Sequence, residues 1–139
     1  MDIEYLVQMK VILDPVQQPW IKITAGQQTI TQQLIASTEF DFEFCAVNQA
    51  MLTVEHYNKS EHDPDTAVII QKIQFFGISD PRFVWAGTYY PRYPDHYLDQ
   101  QPVRHGHSYL GWNGIYELKF QVPIFTWIHQ TQDLGWLYQ

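Results

Sequence analysis

The residues of this sequence that could bind a metal ion lie mainly in one polar stretch, 58–66. Asn58, Asp63 and Asp65 place side-chain oxygens close together along the chain, and calcium takes about six to eight oxygen ligands. The spacing is not that of an EF-hand, and Lys59 opposes a cation. The competing interpretation is a solvated acidic turn. We predict a chain without a cofactor, with calcium at these three residues as the alternative.

A second group of residues suits contact with a sugar or with another protein. Aromatic faces stack on pyranose rings, and Tyr, Trp and Arg are also enriched in protein interfaces. We favour the interface, with glycan contact as the alternative. The candidates lie in or beside a long Pro- and Tyr-rich stretch, 91–108, and are Trp85, Tyr89, Tyr90, Arg92, Tyr93, Tyr97 and Trp112.

Catalytic motifs are missing from the sequence. There is no Gly-x-Ser-x-Gly, no phosphate-binding glycine loop and no His-Glu-x-x-His. His105 and His107 could begin a transition-metal site, but no fixed third ligand accompanies them. The single cysteine, Cys45, cannot form an internal disulfide and is expected to be a buried, inert thiol. We predict that the protein is not an enzyme.

Composition narrows the class of partner. The chain has 139 residues, of which 16% are aromatic and 17% charged, against roughly 25% charged in ordinary soluble chains. The net charge is −7 and the basic residues form no stripe, which argues against nucleic acid. No apolar run reaches the roughly 18–20 residues of a membrane span, so no membrane insertion is expected.

Apolar residues recur with a period of two, which is typical of strands half-buried in an antiparallel sheet. In 39–44 the alternation is strict and predicts Phe40, Phe42 and Phe44 in the core with Glu39, Asp41 and Glu43 in water. The turn Ala25-Gly26-Gln27 joins two strands as a hairpin. We predict one all-β domain over 1–139, an antiparallel sandwich or jelly roll. Its strands are expected at 5–13, 20–25, 28–34, 39–44, 51–56, 67–76, 83–90, 116–121 and 124–129.

The order of these segments resembles the calcium-dependent xylan-binding carbohydrate-binding modules. The likeness spans 20–28, 39–44, 52–58 and 65–77, and it matches Asn58, Asp65 and Gly77 to the family's Asn, later Asp and closing Gly. The sequence departs from the family pattern at Lys59, where the family has Asp. It departs again at 66–68, where Thr-Ala-Val replaces Arg-Asn-Leu. The resemblance implies a small jelly-roll sandwich with a thinned set of calcium ligands.

The second half of the chain, at 75–91, 109–114 and 122–129, resembles small structural proteins of tailed bacteriophages, notably those infecting marine cyanobacteria. This resemblance implies a virion protein of tail, baseplate or fibre, assembled in the host cytoplasm. Its partners would be other virion proteins in a multi-copy assembly and a host-surface polysaccharide. The alternative is a stand-alone, lectin-like carbohydrate-binding module.

The C-terminal segment 124–138 is unusually apolar. Phe125, Trp127 and Trp136 are too apolar to be left in water. We expect this segment to anchor the domain on another virion protein, or else to complete its core.

Overall fold

A computed structural model describes residues 3–60, 62, 65–93, 103–106 and 108–132. Most of the elements are strands, as the alternating pattern predicts. The long strands are β1 (Tyr5–Val16), β2 (Trp20–Ala25), β3 (Gln28–Gln33), β4 (Thr38–Ala46), β5 (Gln49–Tyr57), β6 (Ala67–Phe75) and β11 (Gly114–Gln121). The short ones are β7 (Ile78–Ser79), β8 (Thr88–Pro91), β9 (Arg104–His105) and β10 (Tyr109–Leu110), and the helices are α1 (Pro81–Trp85) and α2 (Ile124–Thr131).

Within the described residues the strands form two antiparallel sheets. The first is five-stranded, with the order β10-β6-β1-β4 and β7 paired to β6. The second is six-stranded, with the order β3-β2-β5-β11-β8-β9. The predicted all-β antiparallel sandwich is therefore confirmed.

The core lies between the two sheets and follows directly from the alternation. Phe40 and Phe42 of β4 are buried and Phe44 packs against the core, whereas the three acidic residues between and before them are exposed. The prediction for 39–44 is thus confirmed. The expected burial of Cys45 is wrong, because β4 continues to Ala46 and the alternation turns this thiol to solvent. The second sheet contributes Ile21, Ile23, Leu52, Val54, Tyr116, Leu118 and Phe120.

The predicted strand at 83–90 is wrong in its first half. Residues 81–85 form the helix α1, and the strand begins only at Thr88. Asp80 caps the helix by accepting the backbone N–H of Arg82, at 2.9 Å, and Pro81 takes the first helical turn. A proline after a capping residue is a helix-start signal, because its missing N–H has no partner there in any case.

The predicted strand at 124–129 is wrong as well, because this segment is the helix α2. Its buried residues are Ile124, Trp127 and Ile128, spaced as one face of a helix. Trp127 packs against Phe75, with ring centroids 5.5 Å apart, and against Phe83 and Phe120. Among the described residues no helix is long and apolar enough to cross a membrane.

Candidate functional site

Two regions bring together polar and aromatic side chains that could bind a ligand. The first lies at one end of the sandwich, where the chain leaves β5 and where it passes from β10 to β11. Asn113 holds the backbone of Lys59 from both sides there. Its Oδ1 accepts the Lys59 N–H at 2.9 Å, and its Nδ2 donates to the Lys59 carbonyl at 3.1 Å. This reciprocal pair fixes one loop against the other.

The Lys59 side chain then reaches across the gap between the loops. Its ammonium donates to the carbonyl oxygens of Thr66, at 2.8 Å, and Gly111, at 2.5 Å. It also lies 4.4 Å from the ring centroid of Trp112, a favourable cation–π position. We call Lys59, Thr66, Gly111, Trp112 and Asn113 the loop cluster.

Two tyrosines, Tyr89 and Tyr93, contact Trp112 of the loop cluster. The Tyr89 hydroxyl donates to the Trp112 carbonyl and accepts the Trp112 N–H, at 3.0 Å. Burial raises the pKa of Tyr89, which keeps this donor protonated. Tyr93 meets Trp112 edge-on at 6.3 Å and accepts a hydrogen bond from Arg104 Nε at 2.7 Å. Tyr89 is only 1% exposed, so its ring is not available to a glycan or a partner.

His56 is a buried polar residue near the end of β5, next to the loop cluster. Its Nδ1 lies 2.9 Å from the Leu110 carbonyl, and burial lowers its pKa from 6.5 to about 4. The ring is therefore neutral at pH 7, with Nδ1 as the donor to the carbonyl. Its Nε2 is buried without a hydrogen-bond partner among the described residues.

The second region is the solvent side of the six-stranded sheet. On β2 the inward residues Ile21 and Ile23 leave Trp20 facing outward. On β5 the inward His56 leaves Tyr57 outward in the same way. The strand register pairs Trp20 with Tyr57, so two residues distant in sequence become neighbours on one surface.

The geometry of this surface combines rings with charged groups. Trp20 and Tyr57 have ring centroids 6.3 Å apart at an interplanar angle of 45°, and Trp20 is 37% exposed. Arg92 Nη2 lies 3.9 Å from Glu55 Oε2. Tyr90, 42% exposed, stands two strands from Glu55, across Ile115. We call Trp20, Glu55, Tyr57, Tyr90 and Arg92 the aromatic face.

The structure divides the residues predicted from sequence between these regions. Tyr90 and Arg92 belong to the aromatic face, and Tyr93 and Trp112 lie at the loop cluster. Trp85 lies apart from both, 58% exposed beside a groove lined by Lys72 and Ser79. Tyr97 lies outside the described residues.

The sequence reasoning missed Trp20, Glu55 and Tyr57. A usable signal was present, because an aromatic residue at the polar phase of an alternating strand must face solvent. Trp20 precedes Ile21-Lys22-Ile23 and is such a case. The pairing of Trp20 with Tyr57 depends on the sheet order and had no sequence signal.

The residues predicted to anchor the domain on a partner also separate. Phe125 is 49% exposed on α2 and stacks on Phe76, with centroids 5.1 Å apart. Trp127 is 8% exposed and packs in the core, which was the alternative role expected of this segment. Trp136 lies outside the described residues.

Comparison with known proteins places the fold among carbohydrate-binding modules. No protein-family model and no curated protein matches the chain. One similar solved structure is described as vCBM60 in complex with galactobiose; it is 15% identical, has a TM-score of 0.53, and covers 80% of this chain and 96% of its own. Another is the selenomethionine form of vCBM60, from work on a circular permutation linking two families of calcium-dependent carbohydrate-binding modules. It is 15% identical with a TM-score of 0.58 and covers 81% and 89%. The likeness at this identity is one of fold.

The calcium named for those families does not fit the described residues of this chain. Two converging carbonyl oxygens, of Thr66 and Gly111, are ligands that calcium could use, but the Lys59 ammonium already donates to both. Asn58 and Asp65 are exposed, and Asp63 lies outside the described residues. The part of the chain that is described contains no group of three His, Cys, Asp or Glu able to hold a metal.

Proposed function

We propose that this protein is a carbohydrate-binding module that holds a short stretch of glycan on the aromatic face. One observation carries the proposal: the ring pair of exposed Trp20 and half-buried Tyr57 lies beside the Glu55–Arg92 ion pair on a single solvent-facing sheet surface. The fold shared with vCBM60, a galactobiose-binding module by its description, supports it.

The chemistry of the aromatic face suits a sugar. Pyranose rings have apolar C–H faces that stack on flat side chains, while their hydroxyls need hydrogen-bond partners at the edge. Trp20 and Tyr57 offer the rings. Glu55 accepts and Arg92 donates hydrogen bonds, and their 3.9 Å separation leaves both groups hydrogen-bonding capacity for hydroxyls.

The dimensions of the surface suit an oligosaccharide better than a single sugar. Trp20 and Tyr90 lie on β2 and β8, which are three strand spacings apart in the sheet order. At about 4.8 Å per spacing this separation is roughly 14 Å, a length comparable to a di- or trisaccharide. We therefore place Tyr90 at the far end of the bound chain.

The charges favour a neutral glycan. The face carries the cations Lys22 and Arg92 together with the acids Glu55 and Glu117, so charges of both signs lie together on it. A mixed surface of this kind has no net field to attract an anionic polysaccharide. Neutral galactans and xylans are therefore the ligands to test first.

The test compares two tryptophans by isothermal titration calorimetry with galactobiose, β-galactan and xylan oligosaccharides. We expect Trp20→Ala to weaken binding about fivefold or more, since stacking on an aromatic ring is worth roughly 1 kcal/mol or more. Trp85→Ala is the matched control, because Trp85 is more exposed than Trp20 and lies away from the aromatic face.

The outcomes of this comparison are distinct. If Trp85→Ala weakens glycan binding while Trp20→Ala binds like wild type, the site lies in the region around Trp85 that was predicted from the sequence. A wild-type protein that binds none of the neutral glycans on an array would overturn the function itself.

The second candidate is a role in assembly, as part of a tailed-phage virion. It is supported by the sequence resemblance and by the exposed Phe125 ring stacked on Phe76 beside the exposed Ile78. An apolar surface of this kind suits contact with another protein. Light scattering of wild type and Phe125→Ser tests it: a multimer that the substitution dissociates supports assembly, and a wild-type monomer at high concentration counts against self-assembly.

A further inference from the structure

The loop cluster has the form of a cation site that the chain fills by itself. Thr66 lies just before β6 and Gly111 just after β10, and their carbonyl oxygens point at the same ammonium from two separate loops. Two converging carbonyls concentrate negative partial charge at one point. A cation there removes their mutual repulsion and joins the two loops.

The backbone around Lys59 is arranged to deliver the side chain to this point. Asn58 has a φ of 61°, a left-handed conformation that turns the chain at the end of β5. Asn113 then holds both the N–H and the carbonyl of Lys59. The lysine is thereby held at its base by one loop and at its tip by two carbonyls, which makes it unlike an exposed surface lysine.

We propose that Lys59 is a built-in cation that replaces a metal ion in joining the loops, so that neither folding nor glycan binding requires calcium. The Trp112 ring, 4.4 Å from the ammonium, completes its surroundings with a π face. The part of the proposal that concerns glycan binding rests on the proposed function, whereas the part that concerns folding stands without it.

A divalent ion could not join the same carbonyls while the ammonium is present. The two cations would lie within contact distance in a partly buried site, where like charges repel strongly. Calcium added to the wild-type protein should therefore find no site among these atoms. Removal of the ammonium, in contrast, leaves two carbonyls that a small cation can reach.

The test is thermal unfolding of the full chain with EDTA or with millimolar calcium. For wild type we expect the same melting temperature in both. Lys59→Met, which keeps the stem and removes the charge, should melt several degrees lower, and Lys59→Arg should fall between the two. Lys72→Met is the matched control, because Lys72 is an exposed lysine outside the loop cluster, and it should melt like wild type.

A rescue experiment separates a cation site from ordinary packing. Lys59→Ala opens space beside the two carbonyls, and we expect ethylammonium chloride to raise its melting temperature above that in sodium chloride of equal ionic strength. Wild type should show no such difference. If Lys59→Ala responds equally to both salts, or melts like wild type, the ammonium is not a structural cation and the proposal is overturned. If Lys59→Ala does not fold, the comparison of Lys59→Met with Lys59→Arg decides.

Glycan affinity is measured separately, so that failure of the proposed function can be distinguished from failure of the proposed role of Lys59. If the wild type binds a glycan, its affinity should be the same with EDTA and with calcium. If it binds none, the proposed function fails while the melting data still decide the role of Lys59. A wild-type melting temperature that falls in EDTA and recovers with calcium would overturn the inference.

Discussion

The outer surfaces of the two sheets follow from the same alternation of inward and outward residues, but they carry different types of side chain. On the five-stranded sheet, β4 turns Glu39, Asp41 and Glu43 to solvent. On the six-stranded sheet, the matching outward positions of β2 and β5 hold Trp20 and Tyr57. The period of two decides which residues face water, and the residue types at those positions decide what the surface can bind.

The acidic surface has a structural explanation that needs no ligand. β4 is the last strand of its sheet, and an unprotected edge strand is a template for aggregation. Charged side chains on such a strand discourage pairing with another chain. The acidic side chains contact the neighbouring strand β1: Lys10 lies 3.5 Å from Glu39, and Gln8 donates to Glu43 at 3.1 Å.

The aromatic face has no such explanation. Its ring pair, Trp20 and Tyr57, is carried on β2 and on the central strand β5, and neither is an edge strand, so these two rings protect no free edge. Large rings on a solvent-facing surface cost solubility unless they contact something. Under the proposed function, the comparison teaches that an aromatic residue at the polar phase of an alternating strand marks a candidate binding surface that the aromatic content of a loop does not reveal.

The largest expected effect separates the inner from the outer side of β4. Phe42 is 3% exposed in the core, so Phe42→Ala should lower the free energy of unfolding by about 3–5 kcal/mol. Asp41→Ala, one residue away on the exposed side, should change it by less than about 0.5 kcal/mol. Urea unfolding of both variants measures the difference, and a similar small loss for the two would contradict the assigned register.

Much of the fold could be predicted from the sequence, because alternation is local. The Phe residues of β4 and the hairpin of β2 and β3 follow from neighbouring residues alone. The helix α2 could not be predicted in this way. Its residues are largely aromatic and β-branched, which favours a strand, and burial of Trp127 among Phe75, Phe83 and Phe120 overrides that preference.

The candidate site was less accessible to prediction than the fold. Tyr90 and Arg92 were found by residue type, yet they lie on the same surface as Trp20 only because β11 inserts between β5 and β8. The role proposed for Lys59 could also be predicted only in part from the sequence. Its charge argued against calcium in the sequence, but the two carbonyls that accept its hydrogen bonds come from residues 7 and 52 positions away.

The next effect concerns the inward polar residue of the aromatic-face sheet. His56 has a folded pKa of about 4 against 6.5 in the unfolded chain. Between about pH 6.5 and pH 4, His56 is therefore protonated in the unfolded chain and neutral in the folded protein. The stability that this residue contributes is complete above pH 6.5 and is lost progressively as the pH falls to about 4, by up to about 3 kcal/mol.

Urea unfolding of wild type and His56→Asn across this pH window measures the effect. The asparagine amide can keep the hydrogen bond to the Leu110 carbonyl, but it does not titrate. The wild type should lose more stability with acid than the variant does. Parallel pH profiles for the two proteins would show that the buried imidazole is not the source of acid sensitivity.

The smallest effect on stability gives the sharpest comparison of the two outer surfaces. Glu39 and Glu55 are both carboxylates in surface ion pairs, with Lys10 and with Arg92 respectively. Exposed pairs contribute about 0–1 kcal/mol, so Glu39→Gln and Glu55→Gln should each leave the melting temperature close to that of wild type.

The effects of these two substitutions on glycan affinity should differ. Only Glu55 adjoins the Trp20–Tyr57 pair, and loss of its charged acceptor should weaken binding about tenfold, whereas Glu39→Gln should bind like wild type. Equal affinities for both variants would show that the ion pair of the aromatic face does not hydrogen-bond the sugar, and would leave the rings alone to carry the binding.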